Sequence, residues 1–426
     1  MIRAFLIVGV ATCLASSAFA QNVTGRFSSS VYSFERVEGE NASNTHLRAG
    51  ERLNLNVAHG SFAIRTNMIY EMFMTKEVED DPRFRCYHLY AEGRDLFDMA
   101  TVKVGRLPLY NNLAGGLYDG ASVKLSYGDW IASGFYGGNV PAYQKLEIAE
   151  DWADNNVAGG EIKTTAIPDA HLSLAYYQKY YKPESYTATR LDADLNPVEY
   201  LIEANSLRYR YAGMKASYKF DDVAKLRARY DFDLTHFVSS RIEATASYTD
   251  VEDLGVHLYY NYRAPRVRYN SIFSVFDYGN THELELGTDY KITPHIAAIA
   301  KFGMTQYKDD DATRATVGAR TNYGTITYRT SFGAAGEQNS VSVFSARTFM
   351  EGLLTPSIGA AYTSYKLSEN SPENTILSAL VGCNVRPWRT LSLDVQGQYH
   401  DNKITQNDMR LLVKLNYWFN ANLGVL

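Results

Sequence analysis

Several things are scarce or missing in this chain, and each absence narrows what it can be. Cysteine occurs three times in 426 residues. Cys13 lies in the apolar N-terminal segment, which leaves Cys86 and Cys383, too few for the disulfide framework of a small exported protein. Proline is rare, at 11 residues, which favours long strands paired along their length. No segment after the N-terminus offers ~18 consecutive apolar residues, so a membrane-spanning helix is excluded. No helical period lasts and no repeat of fixed length recurs, which argues against a helical bundle or a solenoid. There is no basic excess: 42 Lys and Arg stand against 47 Asp and Glu, so nucleic acid is not an expected partner. No CxxCH, HExxH or GxSxG motif is present, and the nine histidines are scattered singly. Neither a cofactor, nor a metal site, nor an enzymatic activity is expected.

What is present begins with "MIRAFLIVGVATCLASSAFA". Arg3, an apolar run from Ala4 to about Leu14, and Ala18-Phe19-Ala20 before Gln21 form a secretory signal with a small-x-small cleavage site. The expected organisation is a signal peptide over 1–20 and a single domain over 21–426, with a mature net charge of about −6 once Arg3 is removed. Tyrosine is abundant, at 33 residues. Its apolar ring and polar tip suit a membrane–water boundary.

The dominant signal is a period of two. In "LSLDVQGQYH" (391–400), Leu391, Leu393, Val395, Gly397 and Tyr399 share one parity, while Ser392, Asp394, Gln396, Gln398 and His400 share the other. "AKLRARYDFD" sets Leu226, Ala228, Tyr230 and Phe232 against Arg227, Arg229, Asp231 and Asp233. "SRIEATASY" and "HELELGTDY" behave alike. Cys383 takes the apolar parity with Leu377, Ala379 and Val381. Near Gly213 the phase slips, from Leu207, Tyr209 and Tyr211 to Met214, Ala216 and Tyr218, which predicts a β-bulge there.

About twenty-two such segments follow one another, most long enough to cross a tilted ~25 Å apolar band. Their connections alternate short and long. Short ones include 58–61, 127–130, 167–170, 220–223, 292–295 and 386–389; long polar ones lie near 74–84, 139–156, 182–202, 264–281 and 367–375. A membrane barrel has this asymmetry, with tight periplasmic turns and long outer loops. The predicted fold is therefore all-β: a transmembrane antiparallel up-and-down β-barrel of about 22 strands, within a range of about 16–22, whose two termini both lie on the periplasmic side.

"VKVGRLPLYNNLAGGLYDGASVKLSYGDWIASGFYGGNVP" (102–141) resembles the early hairpins of bacterial porin-like outer-membrane proteins, on Gly105, Arg106, Gly116, Asp119, Gly120, Gly137 and Gly138. Beyond this stretch the likeness is only a pattern of hairpins. The resemblance implies an outer-membrane location, contact with outer-membrane lipid and lipopolysaccharide, and handling by the barrel-insertion machinery. Such barrels usually end on an aromatic residue, whereas here Phe419 is followed by "NANLGVL". Either the last strand continues further or the signal is displaced.

On the inward parity the strands are expected to gather Arg208, Arg210, Arg227, Arg229, Arg241 and Arg263 into a basic patch, interleaved with Asp231, Asp233, Glu243, Glu283 and Glu285. Two readings stand side by side: a basic ladder that attracts anions, or a solvated wall of paired charges. Glu147, Glu150, Asp151 and Asp154 in the 139–160 loop suit either an acidic constriction or an ordinary solvated loop. Asp309, Asp310 and Asp311 match no dedicated metal loop. The expected function is passive diffusion of small hydrophilic solutes through a charged, water-filled lumen. The alternative is a barrel that sheathes a partner, such as a multihaem cytochrome, for electron transfer. No plug-sized segment precedes the first strand near Val23, which disfavours a plugged receptor. Association into a homo-oligomer is left open.

Overall fold

A computed structural model describes residues 22–37, 43–75, 81–111, 113–140, 147–182, 185–191, 195–202, 207–265, 279–334, 336–368, 370–404 and 406–422. The expected signal peptide lies outside these residues.

The strands are β1 (Asn22–Val37), β2 (Ser43–His59), β3 (Phe62–Phe73), β4 (Arg83–Leu96), β5 (Ala100–Tyr110), β6 (Gly115–Tyr127), β7 (Trp130–Val140), β8 (Asn155–Thr164), β9 (Ala170–Tyr181), β10 (Tyr186–Leu191), β11 (Pro197–Ile202) and β12 (Leu207–Phe220). They continue as β13 (Ala224–Asp233), β14 (Val238–Tyr248), β15 (Leu254–Arg263), β16 (Thr281–Thr293), β17 (Ile296–Gln306), β18 (Asp311–Thr321), β19 (Gly324–Gly333), β20 (Glu337–Ala346), β21 (Leu354–Lys366), β22 (Asn374–Trp388), β23 (Leu391–Asn402) and β24 (Asp408–Ala421). Twenty-two of them form one sheet, each antiparallel to its neighbours, and β1 pairs with β24 to close it. Closure removes every sheet edge, the condition for a β-structure to cross hydrocarbon. β9 pairs directly with β12. The long connection between them folds into a hairpin of its own, β10–β11, outside the barrel sheet.

The two faces follow from the alternation. Leu174, Met214, Leu226, Leu258, Leu284, Leu286, Ile358 and Val381 are all exposed on one parity. On the other, side chains of β4, β5, β6, β8, β9 and β12 meet in one buried cluster that includes Tyr90, Leu107, Tyr118, Val157, Tyr177 and Tyr211. Strands so far apart around a closed wall converge only on its concave side, so this parity faces the lumen and the exposed leucines face lipid. Exposed aromatic residues ring the lipid face at two levels: Trp130, Phe220, Tyr248, Tyr290 and Trp388 near the short turns, and Tyr136, Tyr176, Phe332 and Tyr362 higher up. This is the double girdle of a membrane barrel.

The connections divide as the sequence predicts. Turns at one end run through Gly60–Ser61, Gly128–Asp129 and Asn322–Tyr323; at the other end lie the connections between β3 and β4, β7 and β8, β9 and β12, and β15 and β16. Both β1 and β24 place the chain-terminal side at the short-turn end. Cysteines introduced at Asp310 and Asn370 should therefore react with a membrane-impermeant reagent on intact cells. Those at Gly60 and Asp129 should not, and the reverse labelling would invert the barrel.

One expectation about the strands needs revision. There is no bulge at Gly213: β12 runs in one-to-one register through it, opposite Ala175 on β9 and Asp231 on β13. The irregularity lies on β14, where Ser240 is passed over between Arg241, opposite Asp231, and Ser239, opposite Phe232. The apparent phase slip has a different cause, a change of environment along β12. Near the loop end its inward residues, Tyr209 and Tyr211, join the lumen cluster, while its outward residues turn polar. The last strand ends at Ala421, with Phe419 opposite Gly25; a Cβ on Gly25 would lie 2.4 Å from the Phe419 ring.

Candidate functional site: the lumen wall

The register sets inward residues into rows around the wall. One row reads Lys215, Arg229, Glu243, Asn261, Glu283; the next, toward the loop end, reads Gly213, Asp231, Arg241, Arg263. Neighbouring strands lie ~4.8 Å apart, and the contacts formed here run along single strands from one row to the next. Arg229 holds Asp231 at 2.6 Å, and Asp231 is 1% exposed. Arg241 is hydrogen-bonded to Glu243. Arg263 donates to Asn261 Oδ1 at 3.4 Å. Asp233 accepts from the backbone N–H groups of Thr235 and His236 at 2.7 and 3.1 Å, which ties it to the turn beyond β13. With Lys163, His171, Ser173, Ser217 and Arg227 this sector borders a cavity of about 580 Å³.

Four of the six expected basic residues, Arg227, Arg229, Arg241 and Arg263, thus share the lumen wall. Arg208 and Arg210 do not. They carry the parity of Ala212, Met214 and Tyr218 and stand on the outer face. The misplacement follows from the absent bulge: aromatic character suggests an outward face for Tyr209 and Tyr211, whereas they pack inward.

The acids Glu283 and Glu285 are inward but pair with none of the expected arginines. Arg314 on β18 reaches across β17 to both, at 2.5 and 2.6 Å, and Lys301 adds a contact to Glu285 at 3.5 Å. Gly303, opposite both Glu285 and Arg314, leaves the space: a Cβ there would lie 3.0 Å from Arg314 Nε. On the opposite sector Glu92 gathers Arg65 at 2.9 Å and Lys103 at 3.5 Å, and Glu71 pairs with Arg48 at 2.6 Å. Paired charges therefore line several sectors of the lumen face. Among the described residues no three His, Cys, Asp or Glu side chains gather as a metal site.

The acidic loop does not take the constricting arrangement. Its described part, 147–154, lies along the outward parity of β5–β7, so it forms no acidic constriction opposite the arginines. Arg106 and Asp119, facing each other on β5 and β6, form a two-pronged ion pair at 2.8 and 2.9 Å, with side chains 6% and 7% exposed. The loop caps that pair: Arg106 Nη2 donates to the Glu147 carbonyl at 2.6 Å and the Ala149 N–H donates to Asp119 at 2.8 Å. The Trp152 ring packs edge-on against Tyr136 and over Gly138. Asp154 contacts Lys182 at 3.5 Å, and Asp151 accepts the N–H groups of Asp154 and Asn155. The Glu147, Glu150 and Asp151 side chains are exposed.

The element that does turn inward is shorter and apolar. Asn111 Oδ1 accepts the N–H groups of Leu113 and Ala114 at 2.9 and 2.7 Å, which fixes a tight turn between β5 and β6. Leu113 points from this turn into the lumen cluster and lies over Gly213, where a Cβ would come within 2.5 Å of its side chain. Beneath the cluster, Gly105, Gly120 and Gly137 stand side by side on adjacent strands. A Cβ on Gly120 would lie 2.1 Å from the Tyr136 carbonyl, so only glycine permits this approach of β6 to β7. The apolar residue in "NNLAG", between an Asx-turn asparagine and a glycine pair, was the available sequence signal for it.

No family model matches this sequence, and no curated protein matches it. Similar solved structures include the P pilus usher (PapC) translocation pore, at 9% identity over 93% of this chain and 99% of that one, TM-score 0.48. OccAB4 of Acinetobacter baumannii is 12% identical over 95% and 100%, TM-score 0.44. OccK2 (OpdF) of Pseudomonas aeruginosa is 10% identical over 95% and 99%, TM-score 0.43. Its own strand number, closure, girdles and turn asymmetry make this chain a closed transmembrane β-barrel of the outer-membrane type.

Proposed function

We propose that the barrel is a passive pore for small hydrophilic solutes in the bacterial outer membrane. The observation that carries this reading is the width and polarity of the wall. Twenty-two tilted strands at ~4.8 Å spacing enclose a lumen roughly 40 Å across, backbone to backbone. Facing side chains cannot bridge that gap, and the inward parity presents charge and hydroxyl groups to water. The apolar knuckle around Leu113 narrows the path from the β4–β12 side and sits beside the row that begins at Gly213. A solute passing there meets an apolar surface next to guanidinium groups, which suits small organic anions.

The basic sector gives the pore its charge preference. Lys163, Lys179, Lys215, Lys219, Lys225, Arg227, Arg229, Arg241 and Arg263 outnumber Glu161, Asp231, Asp233 and Glu243 on the inward face of β8–β15. Replacing Arg227 and Arg263 with glutamine leaves the Arg229–Asp231 and Arg241–Glu243 pairs in place. The reversal potential across a salt gradient should then move toward cation selectivity. The shift should be larger near 0.1 M salt, where the screening length is ~10 Å, than near 1 M, where it is ~3 Å. An unchanged reversal potential at both salt concentrations would remove these residues from the mechanism.

A further inference from the structure

The outward positions of Arg208 and Arg210 call for a partner of their own. Along β12 the lipid-facing residues read Tyr218, Ala216, Met214, Ala212, then Arg210 and Arg208. Along β9 they read Leu172, Leu174, Tyr176, then Gln178 and Tyr180; along β8, Ile162, Gly160, Ala158, then Asn156. The register aligns Asn156 with Tyr180 and Arg208, and Gln178 with Arg210. Three adjacent strands therefore change from apolar to polar at one level. Tyr180 is ten residues above Ala170 at the turn end. At ~3.3 Å per residue and a tilt of about 40° that is a height of ~25 Å, the thickness of the apolar band. These arginines stand where hydrocarbon gives way to headgroups, at the loop end.

We infer that Arg208 and Arg210, with Tyr180 and Asn156, form a binding site for a lipid-linked phosphate of the outer leaflet. The Arg208 guanidinium lies 5.0 Å over the Tyr180 ring, which fixes its plane and leaves its N–H edges for a ligand. Asn156 is anchored by donating to the Trp152 carbonyl at 2.7 Å. With Ala153 and Gln178 they border a recess of about 330 Å³. The lumen arginines Arg229 and Arg241 have acidic partners in Asp231 and Glu243; Arg208 and Arg210 form no such ion pair among the described residues. A guanidinium at the hydrocarbon border without an anion is unfavourable, and a phosphate matches two adjacent guanidinium groups by paired hydrogen bonds. The recess opens toward the bilayer and away from the lumen, so the phosphate is supplied by a membrane lipid and not by a passing solute. The inference rests on the outer-membrane reading of the barrel and is independent of what crosses the lumen.

The test uses the full-length mature protein in detergent, with bis-phosphorylated lipid A, dephosphorylated lipid A and inorganic phosphate as separate probes, and native mass spectrometry as readout. Wild type should hold bis-phosphorylated lipid A. The R208Q/R210Q variant should bind it at least about tenfold more weakly, since charge-assisted contacts are lost. R208K/R210K, which keeps the charge but loses the paired guanidinium hydrogen bonds, should recover only part of the binding, and R227Q/R263Q should match wild type. Single-channel conductance of R208Q/R210Q should equal that of wild type, which separates failure of this site from failure of the pore. Equal binding of dephosphorylated lipid A would mean that acyl contacts alone hold the lipid and would overturn the proposal. So would undiminished binding by R208Q/R210Q, or inorganic phosphate displacing lipid A at equal concentration.

Discussion

Asp119→Ala should lose most of its folded barrel from the membrane, the largest effect expected from any single substitution here. Removing this carboxylate leaves the Arg106 guanidinium, 6% exposed on the lipid-side parity, without its counter-ion. An uncompensated buried charge costs about 3–5 kcal/mol. The same substitution removes the acceptor for the Ala149 N–H, so the 147–152 segment loses one of its hydrogen bonds to the wall. Folded protein, measured as the band that shifts on heating before electrophoresis, should fall sharply, and hydrogen exchange at Ala149 should quicken. The double substitution R106M/D119L removes both charges and should recover part of the folded fraction, because apolar side chains suit that face. Wild-type folding by Asp119→Ala alone would show that the pair is not what fixes this corner of the barrel.

Two neighbouring residues should respond in opposite ways to the same substitution. Val395 and Gln396 sit in the middle of β23 on opposite parities. Val395 is opposite Cys383 and Val413 on the lipid face; Gln396 is opposite Gly382 and Leu412 on the lumen face. Val395→Arg places a guanidinium near the midplane of the hydrocarbon, at a cost of about 2–4 kcal/mol. Gln396→Arg adds a charge to a wall that already carries the Asp394–Asn416 hydrogen bond at 2.9 Å, and should assemble normally. Equal loss of heat-modifiable protein from both would mean that the two faces are wrongly assigned.

The contrast between these two residues is also why the fold was legible. A strand buried in lipid on one side and wetted on the other must alternate, so the parity of "LSLDVQGQYH" identifies both the strand and its faces. Strand number followed from counting such segments, and topology from the alternation of short and long connections. The reading failed where one environment no longer persists along the strand. At the loop end of β12 the lipid side carries Arg208 and Arg210 while the lumen side carries Tyr209 and Tyr211, because hydrocarbon has ended on one side and an apolar cluster begins on the other. Hydrophobic parity alone then reads as a bulge.

Connections have no period to read. Nothing in "LEIAEDWAD" distinguishes a loop that narrows the lumen from a cap on the Arg106–Asp119 pair, and the choice depends on an ion pair whose partners come from two other strands. The long reach of Arg314 to Glu283 and Glu285 was hidden for the same reason. A glycine at 303, within an otherwise regular strand, marked the open space but not the side chain that fills it. The inward acids and Arg227, Arg229, Arg241 and Arg263 were found because parity holds along their strands, even out to Asp233 and Arg263 at the strand ends.

The central claim is that this wall encloses an open aqueous path. Purified protein, added alone to a planar lipid bilayer, should insert and give stable stepwise currents that vary linearly with voltage. Well-folded barrel that carries no current by itself, but supports current or electron transfer once a second protein is supplied, would contradict the pore and show instead a sheath around a partner.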